Sequence, residues 1–365
     1  MTSKEILDHI LEYSALQWHS DIHFNTWLQP KARDKNWEIV NLDSIEIMDN
    51  KKELPIFTKD IIGGIIECMV WKSWLNKFQE NMELDSSYTI AWWSRYRVNC
   101  YMDTKWYSIA LRLIPSEIPT MESLELSDTV KGMCEKSKWL ILVTWPTWSW
   151  KSTNLAAMID YINKKYKKHI ITIEDPVEFA FDNQNSLINQ REISNHTKGF
   201  PEAIRAALRE DPDVIMVWEM RDPETIKAAI TLAETGHLVL STLHTNDSVQ
   251  TIDRIVDVFP SDQQAQIRMQ LAMSLVWVLS QRLITKADKN GKIAAREILM
   301  STDAVRNLII TWKTHQLYSV LEVWANSGMI LMDKYLLELY SKWLITKESL
   351  LSYARDKDSI EMMIN

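Results

Sequence analysis

Residues 145–153 read WPTWSWKST, directly after an apolar run of β type (LILVT) and directly before a helical stretch. Lys151, Ser152 and Thr153 form the ending of a phosphate-binding loop, whose backbone N–H groups turn inward around an anion at a helix amino terminus. Such loops are built from glycine, because a bare α-carbon lets the main chain close on a phosphate. Here Trp145, Trp148 and Trp150 hold the places that include both glycines of GxxxxGK[ST], with Pro146, Thr147 and Ser149 between them. With glycine at these three places the motif is complete. Lys151 would then reach the β and γ phosphates of ATP, and the Ser152 hydroxyl would hold Mg2+. As written, three indoles fill the cradle.

Two acids stand where parallel-sheet enzymes place their chemistry, just past the carboxyl ends of strands. Glu174, with Asp175, follows HIITI, and Glu219 follows DVIMVW. An acid in such a place is commonly a helix cap or a surface charge. Two of them in one sheet with a phosphate loop point further: one can hold Mg2+ through water, and the other can orient or deprotonate the attacking water. Which does which stays open. His237 and His244 flank the run LVLSTL. Each is either a packed core histidine or, at a polar strand end, a sensor of the γ phosphate.

The tryptophans extend the puzzle beyond the loop. The chain has 17 Trp and 7 Gly, 24 in all, whereas glycine alone usually makes up about 7% of residues, roughly 26 in a chain of this length. Many tryptophans sit where backbone physics asks for glycine. Asn36-Trp37 stands as Asn-Gly would in a hairpin turn, and Trp343 occupies the place of a helix C′ residue. Trp106 falls between two strand-like runs, and Trp92-Trp93 lies beside turn-forming residues. The expectation is that most or all are glycine in the living organism, through a genome in which UGA encodes glycine. The alternative is a real Trp-rich chain with an inactivated loop.

The elements that must position these residues read as two domains. Up to about residue 116 the pattern is mixed: helices over 3–16 and about 58–77, a strand beginning at SDIHF (20–24), then SYTIA, RYRVNCYM and YSIALRLI as antiparallel strands. PSEIP at 115–119 is a linker, with the second domain starting near 121. Strands at 140–144, 169–173, 213–217 and 238–243 then alternate with helices over 152–167, 201–210 and 223–235. That alternation predicts an α/β fold with a parallel sheet covered on both faces. From about 247 the chain reads as mostly helical, including a long segment over 263–283.

Composition narrows the function. A net charge of −8 and a pI near 5.6 argue against a broad nucleic-acid-binding face. The basic run at 164–168 reads as a solvated helix end. No apolar run approaches the roughly 18 residues that span a bilayer, and the amino terminus is amphipathic without a signal-peptide core, so a cytoplasmic location is expected. Cys68, Cys100 and Cys134 are widely spaced without CxxC and read as buried free thiols rather than a zinc site.

Several segments resemble the type IV pilus retraction ATPase (PilT) family: ITIEDPVEF (171–179), NQREI (189–193), ALREDPDVIMV with EMRD (207–222), LAETGHLVLSTLHT (232–245) and TIDRIVDVFP (251–260). In that family's terms they hold the Asp box, the Walker B segment and the His box. AVRNLI (304–309) is similar to a motif of the retraction members, and SDIHF and RYRVN extend the resemblance to the first domain. The family has glycine at positions matching Trp27, Trp139, Trp145, Trp148, Trp150, Trp218 and Trp277. The resemblance implies a PAS-like amino-terminal domain and a RecA-like P-loop ATPase domain, assembled as a homohexamer with nucleotide between the two domains. Arg97 and Arg112, with Arg95 in a matching place, would complete the site from the first domain, although a solvent-facing role is as good a reading for Arg95. It further implies a pilus platform protein of the inner membrane as partner and a place at its cytoplasmic face. Related secretion or DNA-uptake ATPases share the scaffold. Assembly-type relatives carry a four-cysteine zinc site and an extra amino-terminal domain, and their absence favours retraction.

Overall fold

The computed structural model describes residues 2–34, 38–47, 50–70, 72–90, 94–114, 117–144, 151–324 and 328–364. They fall into two units, Met1–Glu117 with Glu178–Ala180, and Ile118–Val177 with Phe181–Asn365.

In the first unit, α1 (Ser3–Leu16) begins where the sequence supplies a capping box: the Thr2 hydroxyl accepts from Glu5 N–H, and the Glu5 carboxylate accepts from Thr2 N–H at 2.8 Å. Its buried Ile6, Leu7, Ile10 and Leu11 recur at helical spacing. Strands β1 (Asp21–Asn25), β2 (Lys31–Arg33), β3 (Ile39–Asn41), β4 (Ser44–Ile47) and β5 (Asn50–Glu53) precede helices α2 (Lys59–Met69) and α3 (Lys72–Asn81). Then come β6 (Glu83–Thr89), β7 (Arg95–Asp103) and β8 (Trp106–Ile114). Six strands make one antiparallel sheet in the order β3-β2-β1-β8-β7-β6. Its alternate residues Ile22, Phe24, Tyr96, Val98, Ile109 and Leu111 are buried with the apolar faces of α1 and α2 in a core of their own.

The single helix predicted over 58–77 is two helices. Val70 is extended (φ −121°, ψ 148°) and buried, which ends α2 at Met69. Cys68 also departs from expectation. Cys100 and Cys134 are buried, but Cys68 lies with Glu67 on the exposed side of α2, whose inward face is Ile62, Ile65, Ile66 and Met69.

The second unit runs α4 (Asp128–Cys134), β9 (Trp139–Thr144), α5 (Lys151–Lys165), β10 (His169–Glu174), β11 (Leu187–Glu192), α6 (Phe200–Ala207), β12 (Val214–Val217), α7 (Pro223–Glu234) and β13 (Leu238–Leu243). It continues with α8 (Ser248–Asp257), α9 (Ser261–Ser274), β14 (Leu275–Thr285), β15 (Lys292–Met300), α10 (Asp303–Ile310), α11 (Leu317–Val323), α12 (Met332–Ser341), α13 (Lys347–Tyr353) and α14 (Lys357–Ile364). Seven strands form one sheet, β11-β10-β12-β13-β9-β14-β15, parallel throughout except for the β14–β15 pair. Along β9, Leu140 and Leu142 enter one hydrophobic core while Ile141 and Val143 enter another. A parallel strand buried on both faces therefore reads as an unbroken apolar run.

The helical reading of 263–283 holds only to Ser274. The chain then crosses into β14, whose Val278 lies in register with Leu142 of β9 and whose Ser280 hydroxyl is 2.8 Å from that of Thr144. β15 returns antiparallel, and its outer edge is met at Ile298 by Ile330 through two backbone hydrogen bonds of 2.8 and 3.0 Å. Beyond that bridge, Met332 and Leu336 of α12 share a buried cluster with Ile284 and Ala295.

Candidate active site

The sheet order places β9 between β13 and β14, with α5 rising from its carboxyl end at Lys151. The first-turn N–H groups of α5 therefore lie at the carboxyl edge of the sheet, where the helix dipole favours an anion. Of the loop residues picked out in sequence, Trp145, Pro146, Thr147, Trp148, Ser149 and Trp150 lie outside the described residues. The same holds for the side chains of Lys151 and Ser152, whereas Thr153 is half-buried in the first turn of α5.

Three sequence-predicted residues meet at this edge on three adjacent strands. Glu174 is the last residue of β10 and is 1% exposed; its Oε1 accepts from the Thr172 hydroxyl at 2.6 Å and from the Gln190 amide at 3.0 Å. Glu219 lies two residues past β12. Its backbone is fixed by hydrogen bonds on either side, Trp218 N–H to Ile173 O at 2.9 Å and Met220 N–H to Thr242 O at 3.2 Å. Its carboxylate is gripped at both oxygens: Arg221 Nη2 stands 2.7 Å from Oε2, and His244 Nε2, just past β13, stands 3.2 Å from Oε1. The Glu219 side chain is only 7% exposed, so the carboxylate is desolvated and held by these partners.

His237 is not brought here. It precedes β13, at the opposite edge of the sheet, with Nδ1 3.1 Å from Leu232 O at the end of α7. About 20 Å of extended strand separates it from His244, so of the two histidines only His244 lies at the edge that holds Glu219.

Glu219, Arg221 and His244 line a cavity of ≈ 610 Å³ with Asn246 and, from α8, Asp253 and Arg254. The hydrogen bond to Glu219 is the main cause that raises the Arg221 pKa, with the charge of Asp175 adding to it. Burial pushes the Asp253 carboxyl up, helped by the neighbouring charges of Asp257 and Asp247. Among the described residues no group of three or more His, Cys, Asp or Glu could hold a metal ion by itself. Glu174 and Glu219 are oxygen donors at the ends of paired strands, which suits a hard cation such as Mg2+ that keeps most of its ligands as water and phosphate.

In the first unit, Arg97 and Arg112 are register partners across β7 and β8, and Arg112 is the register partner of Asp21 on β1. Arg112 Nε donates to Asp21 Oδ1 at 2.8 Å. With Asp85 and Asn99 these residues line a second cavity of ≈ 440 Å³. Arg95 donates to the Ser87 hydroxyl at 3.0 Å.

Sequence reasoning passed over Thr172, Gln190, Arg221 and Asp253. Thr172 was within reach of it, since residues two apart on a strand share a face. Glu192 was also missed: on β11 opposite Glu174, it accepts from Val177 N–H at 3.1 Å and so fixes the loop after Glu174.

Residues 105–322 match the family described as Type II/IV secretion system protein. Over 355 residues, 97% of this chain and 98% of the relative, the sequence is 42% identical to the type IV pilus retractation ATPase PilT of Pseudomonas aeruginosa. It is 44% identical over 307 residues to a twitching motility protein of Neisseria gonorrhoeae, covering 84% of this chain and 82% of that one. A crystal structure of the pilus retraction motor PilT with bound ADP matches with a TM-score of 0.86 at 39% identity, over 98% of this chain and 99% of that one.

Proposed function

The chain belongs to the Type II/IV secretion system protein family, among its pilus retraction ATPases, and from that premise we propose that it is an ATP-hydrolysing motor that withdraws a type IV pilus. The observation that carries the reading is Glu219, a carboxylate held from both sides at the carboxyl edge of a parallel sheet, just past β12 and with β13 between it and β9, the strand that precedes α5.

In this reading the amino end of α5 and Lys151 hold the phosphates. Ser152 and, through water, Glu174 hold Mg2+, which screens the phosphate charge when bound. Glu219 orients and deprotonates the attacking water, with His244 keeping its carboxylate aimed. Thr172 and Gln190 fix Glu174 on the neighbouring strand. The subunits work as a homohexameric ring in which Arg97 and Arg112 stabilise charge on the transferred phosphoryl group. The ring acts on a platform protein at the cytoplasmic face of the inner membrane. No described helix is long and apolar enough to cross a membrane, which supports attachment through a partner. The AVRNLI segment, which forms α10 with its flanking residues, favours a retraction motor over an assembly motor.

Phosphate binding requires glycine at 145, 148 and 150. The test compares ATP turnover by the chain as written with turnover by a chain carrying glycine there, and with the same glycine chain bearing Glu219→Gln. Turnover by the glycine chain alone is expected. A glycine chain that binds ATP without hydrolysing it would leave a ring component that only binds partners.

A further inference from the structure

We propose that the translation machinery of the source organism inserts glycine, not tryptophan, at these positions, and that the indoles are foreign to the native polymer. The ground is backbone conformation. Trp18, Trp27, Trp106, Trp139, Trp312 and Trp343 have φ of 58°, 68°, 138°, 103°, 58° and 60°. They are six of the ten tryptophans whose backbone is described, while only five described residues of all other non-glycine types share that region. Side chains of L-residues resist it, because Cβ crowds the following carbonyl.

Three of the six occupy one motif. Trp18, Trp312 and Trp343 each stand two residues past the end of a helix: α1, α10 and α12. In each case the next N–H reaches back five residues: His19 to Ser14 O at 2.9 Å, Lys313 to Leu308 O at 2.8 Å, Leu344 to Leu339 O at 3.0 Å. This is the Schellman closure, whose left-handed C′ residue is usually glycine. The chain carries its own reference: after α7 the same place is filled by Gly236 (φ 104°), with His237 N–H bonding Leu232 O at 3.3 Å. Burial adds to the mismatch. Trp18 and Trp343 are 80% and 82% exposed, whereas Trp277 is buried with its indole N–H lacking a partner. A side chain chosen for its ring would show the reverse. One cause accounts for these six and extends to the other tryptophans: a reassigned UGA codon, which would also restore glycine at 145, 148 and 150.

Tandem mass spectrometry of the protein purified from its own cells decides this, on peptides that span 18, 145–150, 312 and 343. Glycine masses there, with UGA at every one of the 17 codons and GGN at the 7 glycines, are the expected result. An indole mass, or a UGG codon, at any of 18, 312 or 343 overturns it.

A separate observation bears on the proposed hydrolysis. The geometry assigns Arg221 as a positioning residue for Glu219, an assignment that rests on the ATPase reading. Arg221 makes a single Nη2 contact to Oε2, while His244 takes the other oxygen, so neither partner alone fixes the carboxylate plane. In the glycine chain, Arg221→Ala is expected to lower kcat by about 10²-fold while nucleotide Kd stays unchanged. Because the contact is not bidentate, Arg221→Lys should recover much of the loss. Arg221→Ala with full turnover, or with Kd weakened in step with kcat, overturns the assignment. A parent glycine chain without turnover removes the ATPase reading and this role with it.

Discussion

Glu297 accepts from both the backbone N–H and the hydroxyl of Ser248, at 2.9 and 2.7 Å, so that a buried carboxylate on β15 closes the amino end of α8. A second oxygen faces Met332 N–H at 3.4 Å at the start of α12. One side chain thus ties the helix that lines the Glu219 cavity to the carboxyl-terminal helices. Glu297→Ala leaves buried donors unpaired and is expected to destabilise the chain by about 2–3 kcal/mol. Burial raises the Glu297 pKa, so the folded chain holds this proton more tightly than the unfolded one. The contribution is full below the ordinary carboxylate range and falls as pH rises through the raised value. Denaturant midpoints of the two chains should therefore lie furthest apart in acid and draw together as pH rises through the raised value.

Arg112 is 65% exposed in its pair with Asp21, so the pair contributes little to stability, about 0–1 kcal/mol. Arg112→Ala should fold with a nearly unchanged melting temperature. If its guanidinium acts on the transferred phosphoryl group, turnover by the assembled glycine chain falls by about 10³-fold. Asp21→Asn, which removes the ion pair and spares the arginine, should leave turnover close to the parent. Equal losses in both variants would reduce Arg112 to a surface residue.

Trp343→Gly isolates the cost of the left-handed conformation. The indole is 82% exposed and packs only obliquely on Tyr340, so little burial is lost with it. Relief of Cβ crowding is worth about 1–2 kcal/mol, offset in part by the freer unfolded chain of glycine. A net gain of about 1 kcal/mol in denaturant unfolding is expected. Trp343→Ala, which keeps a Cβ, should not reproduce it.

Thiol chemistry separates the three cysteines. Burial pushes the Cys100 and Cys134 thiols up to about 12, so neither forms appreciable thiolate at pH 8. Cys68 is also raised by partial burial but is exposed on α2. An aromatic disulfide reagent should titrate one thiol in the native chain at pH 8 and three after unfolding in guanidinium.

The sheet was legible because strands buried on both faces announce themselves as apolar runs, and Glu174, Glu219 and His244 were legible as residues that follow such runs. Direction mattered for the histidines: His237 precedes its strand, so chain polarity alone assigns it to the far edge. β14 was hidden because VWVL follows a helix without a break and fits either period, and length could not arbitrate. β2 to β5 are three or four residues each and carry too little alternation to be read. Arg221 could not be found from spacing. Its contact depends on how the chain turns after β12, which Met220 N–H fixes by bonding to Thr242 O on the next strand.

The Ile298–Ile330 bridge bears on how the protein can be divided. A fragment that stops at 322, where the family match ends, would lack Ile330 and the whole of α12. The main-chain donor and acceptor of Ile298 on the edge strand β15 would lose their partner, and the strand the cover of α12, which favours strand exchange between copies. Such a piece should come out of cells as insoluble aggregate, although Glu174, Glu219 and His244 are all still present in it.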